Sequence, residues 1–196
     1  MSYSDQFYFD STNIVLFEGP VNEFSGEPVT EAQSADLLLF HDAKDSFLRS
    51  PASSGDLVLE VSNARRYSPS RDRVVVWGDD SAWHDLGICQ AVDLELSTVT
   101  VESPLPVDSD LGQRVAVALG GDLEGERPWR IAMSPFEPPG GALPVAGMFD
   151  YGFRGVIPPG QEGFEIGAVC RCEIAIVVGE NLKVTKTLRR HISGGV

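Results

Sequence analysis

Three histidines, His41, His84 and His191, and three cysteines, Cys89, Cys170 and Cys172, are the side chains best suited to acid–base, metal or thiol chemistry. Their spacing decides how far that goes. His41-Asp42 and His84-Asp85 are neighbours in sequence. On a strand, neighbouring side chains point to opposite faces, so neither pair is set up to act as a dyad. No nucleophile motif lies near them, and surface or turn positions are expected for all three histidines. Cys170-x-Cys172 puts two thiols on one strand face. A structural zinc site takes four ligands, and only Cys89 or a distant histidine could complete this one. Two buried thiols acting as small apolar side chains are the simpler expectation.

Carboxylates are plentiful and uninformative by number. Asp79-Asp80 and Asp108-Ser109-Asp110 offer oxygen ligands of the kind calcium takes, but neither continues into an EF-hand loop. Both sit where turns are expected, and Asp and Ser favour turns through local hydrogen bonds. Among 29 acids some pair would always match glycosidase spacing, so that test has no force. There is no Gly-x-Ser-x-Gly elbow and no Gly-x-Gly-x-x-Gly fingerprint, and Gly120-Gly121 lacks the Lys-Ser/Thr of a P-loop. The expectation is a non-enzymatic protein with no cofactor, no metal and no catalytic residues.

Binding chemistry is better represented. Trp77, Trp83 and Trp129, with Tyr67 and Tyr151, are candidate stacking surfaces for a carbohydrate or other ligand, and core packing is the competing account of each. Arg65, Arg66, Arg71 and Arg73 flank Tyr67 and form the one basic cluster outside the C-terminus. Residues 181–196 add Lys183, Lys186, Arg189 and Arg190 with no acid, a balance of +4. Residues 1–63 hold eleven acids against Lys44 and Arg49, a balance of −9. Opposite charge at the two ends suits head-to-tail contact between copies. The net charge of −14 disfavours direct nucleic-acid binding and acidic membranes, since phosphate contacts need clustered cations.

These side chains need elements to hold them. Twenty glycines and thirteen prolines cut the chain into short pieces rich in Val, Ile, Leu, Thr and Phe. No long stretch carries the helical i, i+3, i+4, i+7 pattern. The fold class expected is all-β, a small β-barrel or β-sandwich with long Pro/Gly-rich loops. Strands are expected at Asn13–Glu18, Asp36–His41, Asp56–Ser62, Arg73–Trp77, Gly87–Leu94 and Ser97–Glu102. Further strands are expected at Arg114–Leu119, Trp129–Ser134, Tyr151–Ile157, Ala168–Val178 and Leu182–His191. The last two form a hairpin through Gly179 and Asn181, with Cys170, Cys172, Ile174, Ile176 and Val178 on one face and Arg171, Glu173, Ala175 and Val177 on the other. Pro135 to Gly141 is excluded from any central strand, because proline removes ladder donors. The chain reads as a single domain, 1–196. It has an optional N-terminal arm (1–50), a barrel-like centre (53–119) and a C-terminal loop plus hairpin (120–196).

The centre carries a resemblance. Ser54-Gly55-Asp56-Leu57-Val58-Leu59, then Val76-Trp77-Gly78-Asp79-Asp80, then Gln90-Ala91-Val92-Asp93 with Thr98-Val99-Thr100-Val101 follow one another in order. Ser103-Pro104-Leu105 and Gly112-Gln113-Arg114-Val115 close the series. Over roughly residues 53–119 the pattern resembles virion structural proteins of tailed bacteriophages. The types in view are the head–tail connector or neck, the tail and the capsid decoration protein. The resemblance implies a structural role in the particle, most of all at the neck, with capsid decoration as the alternative. It implies partners that are copies of itself in a homo-oligomer and other virion proteins, with no nucleic acid or membrane contacted directly. It places the chain in the virion, and in the host cytoplasm during assembly. If the chain assembles, its expected contact surfaces are Arg65, Arg66, Arg71 and Arg73, the loop from Phe136 to Leu143, and Lys183, Lys186, Arg189 and Arg190.

Overall fold

The computed structural model describes residues 6–18, 32–121, 128–136, 152–178 and 182–194. Its strands are β1 (Gln6–Tyr8), β2 (Asn13–Glu18), β3 (Ala32–His41), β4 (Ser46–Phe47), β5 (Val58–Glu60), β6 (Arg73–Trp77) and β7 (Trp83–Asp93). They continue as β8 (Thr98–Val101), β9 (Arg114–Ala118), β10 (Arg130–Ala132), β11 (Ser134–Phe136), β12 (Gly152–Ile157), β13 (Val169–Val178) and β14 (Leu182–Ser193). Among the described residues the only helical pieces are two short 3-10 turns, Asp42–Lys44 and Ala64–Arg66. The protein is therefore all-β, as its chopped and alternating sequence predicts.

One large mixed sheet runs in the order β1-β14-β13-β3-β9-β6-β7-β8-β5, with β10 attached to β3 and β4 to β9. A second sheet, β11-β12-β2, packs on it. The large sheet is not a closed barrel, and the arrangement is sandwich-like. Pro135 lies in β11, at the edge of the second sheet, where a missing ladder donor costs least.

Two main cores fill the molecule. The first lies between the two sheets: Leu37, Leu39, Cys170, Cys172, Ile174 and Ile176 from one, and Val15, Phe17, Phe153 and Ile157 from the other. Gly155 lets the sheets approach, because a Cβ there would stand 2.9 Å from Leu37 Cδ2. The second core gathers Leu48, Leu59, Val61, Val74, Val76, Leu86, Val99, Val115 and Val117, all between residues 48 and 117. Around it the sheet curls until Leu48 bridges Val61 and the Arg49 N–H donates to the Glu60 carbonyl at 2.9 Å.

A third, smaller cluster joins the two. Leu38 and Phe40 of β3 meet Val75, Ala116, Ala118 and Trp129. Strands β3, β6 and β9 are thus covered on both faces, which explains their continuous apolar runs Leu37-Leu38-Leu39-Phe40 and Val74-Val75-Val76.

The expected strands are present except that Trp129–Ser134, expected as one strand, is divided between β10 of the large sheet and β11 of the second. The structure adds β1, β4 and the start of β3 at Ala32, and extends β7 back to Trp83. In the described part of residues 1–50, Phe7, Val15, Phe17, Leu37 and Leu39 all lie in the first core. Strand β1 runs parallel to β14, with Gln6 opposite His191 and Tyr8 opposite Ser193. Gly179 and Asn181, expected to form the last turn, fall outside the described residues. The β7–β8 turn is described: the Glu95 and Leu96 N–H groups both donate to Asp93 Oδ1 at 2.9 Å, and Ser97 takes φ 56°.

Candidate functional site

The third cluster opens on one side into a cleft of about 480 Å³. This lies within the size range of small-molecule sites. Three tryptophans line it, and each reaches it from a different element. Trp77 ends β6, Trp83 begins β7, and Trp129 directly precedes β10. Trp77 and Trp83 are cross-strand partners, which brings their rings to 5.5 Å in an edge-to-face arrangement at 76°. Trp129 is fully buried and stacks obliquely on Phe40 at 6.0 Å. The floor is the outward face of β3 and β13, with Leu38 and Ala175.

Asp85 fixes this wall. It accepts a hydrogen bond from Trp129 Nε1 at 3.0 Å, bonds from Arg73 Nη1 at 2.9 and 3.1 Å, and one from the Gly87 N–H at 2.9 Å. Gly87 takes φ +74° at an irregularity in the β6–β7 pairing, a conformation in which a side chain is strained. His84, the sequence neighbour, turns away to Asp80 at 2.9 Å. The alternation of a strand thus separates the two, as expected.

Beside the aromatic wall lies a buried charge network. Arg171 is 3% and Glu173 5% exposed. Arg171 pairs with Asp45 and with Glu173, while Arg114 Nη2 lies 2.8 Å from Glu173 and 3.3 Å from Asp45. The Arg114 guanidinium sits 5.1 Å from the Trp83 ring centre, and that of Arg171 4.9 Å from Phe40. Burial lowers the pKa of Arg171, and Glu173 opposes the shift. At the mouth, Arg130 makes two bonds to Asp36 Oδ2, at 2.6 and 3.0 Å. Each cation at the cleft thus has a carboxylate against it.

Of the aromatics singled out in the sequence, the structure brings the three tryptophans together and sends Tyr67 elsewhere. Tyr67 is buried in the second core and donates to the Val115 carbonyl at 3.0 Å, and burial raises its phenol well above the usual value. Tyr151 lies outside the described residues. The sequence pointed to none of Asp36, Asp85, Arg114 or Arg130 as a cleft residue, and Asp85 was weighed only as the neighbour of His84. Arg130 directly follows Trp129 and Asp85 lies two residues after Trp83, while Asp36, inside β3, and Arg114, at the start of β9, carry no such signal.

The basic residues expected to meet neighbours are largely engaged within the chain. Arg66 donates to the Asp45 carbonyl, Arg71 pairs with Glu165, Arg73 with Asp85, and Arg189 with Asp42 at 2.8 Å. Arg65 is exposed, Lys186 is exposed with its ammonium 5.2 Å from the Phe17 ring, and Arg190 donates to the Arg189 carbonyl. Lys183 lies in β14 and Phe136 in β11 by backbone, and Leu143 falls outside the described residues.

The remaining chemical candidates have structural duties. Cys170 and Cys172 are fully buried with sulfurs 3.7 Å apart, and burial pushes the Cys170 thiol far up. Asp79 accepts from the Asp110 N–H at 3.0 Å and Asp108 from the Ser54 N–H at 2.8 Å, so these carboxylates tie turns together. Among the described residues no three His, Cys, Asp or Glu side chains converge as a metal site. In comparisons with known proteins, the chain matches no family model, no curated protein and no solved structure.

Proposed function

We propose that this chain is a non-enzymatic structural protein of a tailed-phage particle that works by contact with copies of itself and other particle proteins. The neck or head–tail connection is the first position, and capsid decoration the second. One observation carries the reading. The segment bearing the virion-protein pattern, 53–119, coincides with the part of the chain that folds around its own core, residues 48–117. The pattern therefore belongs to one packed unit rather than to scattered loops.

The surfaces offered to neighbours are apolar as well as basic. Leu94 and Leu96 stand 56% and 68% exposed at the β7–β8 turn. Ile14 and Val156 form an exposed cross-strand pair on the outer face of the second sheet. Arg65 and Lys186 add exposed positive charge to an acidic molecule.

Light scattering of the purified protein at low and high salt tests this. A defined oligomer that loosens in salt supports charge-assisted assembly. A monomer at every concentration and salt overturns it.

A second reading, a ligand-binding β module, is favoured by the tryptophan-lined cleft. It needs no oligomer and is tested separately below.

A further inference from the structure

We propose that the cleft between Trp77, Trp83 and Trp129 binds the ring of a neutral sugar. The proposal rests on the ligand-binding reading and gives that site a ligand class.

Size and walls come first. A volume of about 480 Å³ holds one or two sugar rings, and its walls join indole to aliphatic side chains. A pyranose has an apolar C–H face and a hydroxylated rim. Indole suits the first, and fixed polar groups suit the second.

Charge selects the class further. Arg130 is paired with Asp36, and Arg114 with Glu173. Two cations and two anions at the cleft cancel. An anionic ligand would have to break an existing pair and approach a molecule of net charge −14. A cationic ligand would compete for the Trp83 ring, which Arg114 already faces at 5.1 Å. A neutral polyhydroxyl compound meets neither obstacle when its apolar face lies on the half-buried Trp77 ring rather than on Trp83 or the buried Trp129. Its hydroxyls can both donate to the carboxylates and accept from the guanidinium groups without disturbing the pairs.

Rigidity supports the assignment. Trp129 is locked by its bond to Asp85, and the two other indoles are locked edge-to-face. Arg130 is held by two bonds. A site that is ordered before the ligand arrives loses little entropy on binding.

The test is titration of intrinsic tryptophan fluorescence with the methyl glycosides of glucose, galactose, mannose and N-acetylglucosamine at millimolar concentrations. Glucuronate and glucosamine serve as anionic and cationic counterparts. The proposal expects a saturable shift with at least one neutral glycoside and weaker responses to the charged sugars. Trp77→Ala should weaken binding by roughly tenfold or more, about 1.4 kcal/mol. Trp77 is only half-buried, so its unfolding midpoint checks that the fold persists. Val177→Phe, which narrows the cleft from β13, is the second variant and should also abolish binding.

If only a charged sugar binds, and Trp77→Ala removes it, the neutral class is wrong while the ligand-binding reading stands. If none of the probes binds, both fall. Binding that survives in both variants places the sugar elsewhere and overturns the proposal.

Discussion

Single side chains here are governed by burial more than by function. Burial pushes the Cys89 thiol from 9.0 up to about 11. Between those values the unfolded chain gives up a proton that the folded chain keeps. The contribution is therefore complete below about pH 9 and is lost as pH rises toward about 11. On the acid side His41 behaves in the opposite sense. Burial, then the nearby Lys44 charge, lowers its pKa below 6.5, so stability falls as pH drops through 6.5 toward the folded value. Urea unfolding across this range should show a plateau near neutrality and a decline on both sides. Cys89→Ala should flatten the alkaline limb by up to ~2 kcal/mol. An alkaline limb that Cys89→Ala leaves unchanged would refute the assignment to this thiol.

At the level of elements, the alternation of β13 was readable from sequence, and the fate of its polar face was not. Cys170, Cys172, Ile174 and Ile176 face the first core, as the period of two requires. Arg171, Glu173 and Ala175 share the other face, where Arg171 is 3% and Glu173 5% exposed and Ala175 packs against the bridging cluster. A charged residue signals exposure in sequence, and only the three-dimensional partner reveals that Arg171, Glu173, Arg114 and Asp45 neutralise one another. The same limit hid the cleft. Three tryptophans spaced over fifty residues carry no local pattern, and only the pairing of β6 with β7 and of β10 with β3 brings them to one place. The turns and strand positions were legible because Gly, Pro and Asp act locally. The partners of the arginine cluster were not legible for the converse reason: Glu165 lies 94 residues from Arg71, and Asp85 meets Arg73 only across the β6–β7 pairing. The buried network makes a direct prediction. Arg171→Met leaves Asp45 and Glu173 partly unopposed and should cost about 3 kcal/mol by denaturant unfolding. Replacing Glu173 with Leu in the same chain should recover part of that loss. A double variant whose cost is the simple sum of the singles would contradict the coupling.

For the whole molecule the question is whether two main cores behave as one. The bridging cluster answers it physically. Phe40, wholly buried, touches Trp83 at 4.9 Å and Trp129 at 6.0 Å, and Leu38 and Phe40 share a strand with Leu37 and Leu39 of the first core. Tryptophan fluorescence reports the cleft, and far-UV dichroism reports both sheets. The two should follow one transition in the parent protein. Phe40→Ala should cost about 3–5 kcal/mol and pull the two curves apart. Coincident curves in that variant would show that the cores are joined by something other than the bridging cluster.

The parallel pairing of β1 with β14 has a mechanical consequence. Gln6 enters that pair at the end where His191 lies, and Ser193 leaves it at the other, with a further bond from the Phe9 N–H to the Ser193 carbonyl at 3.0 Å. Tension applied ahead of Gln6 and beyond Ser193 pulls the two strands past each other, so their cross-links bear the load together. An antiparallel pair gripped at one end would instead unzip one link at a time. The joint between the first and last described strands is therefore a shear clasp, and it resists stretching more than its three-residue length suggests.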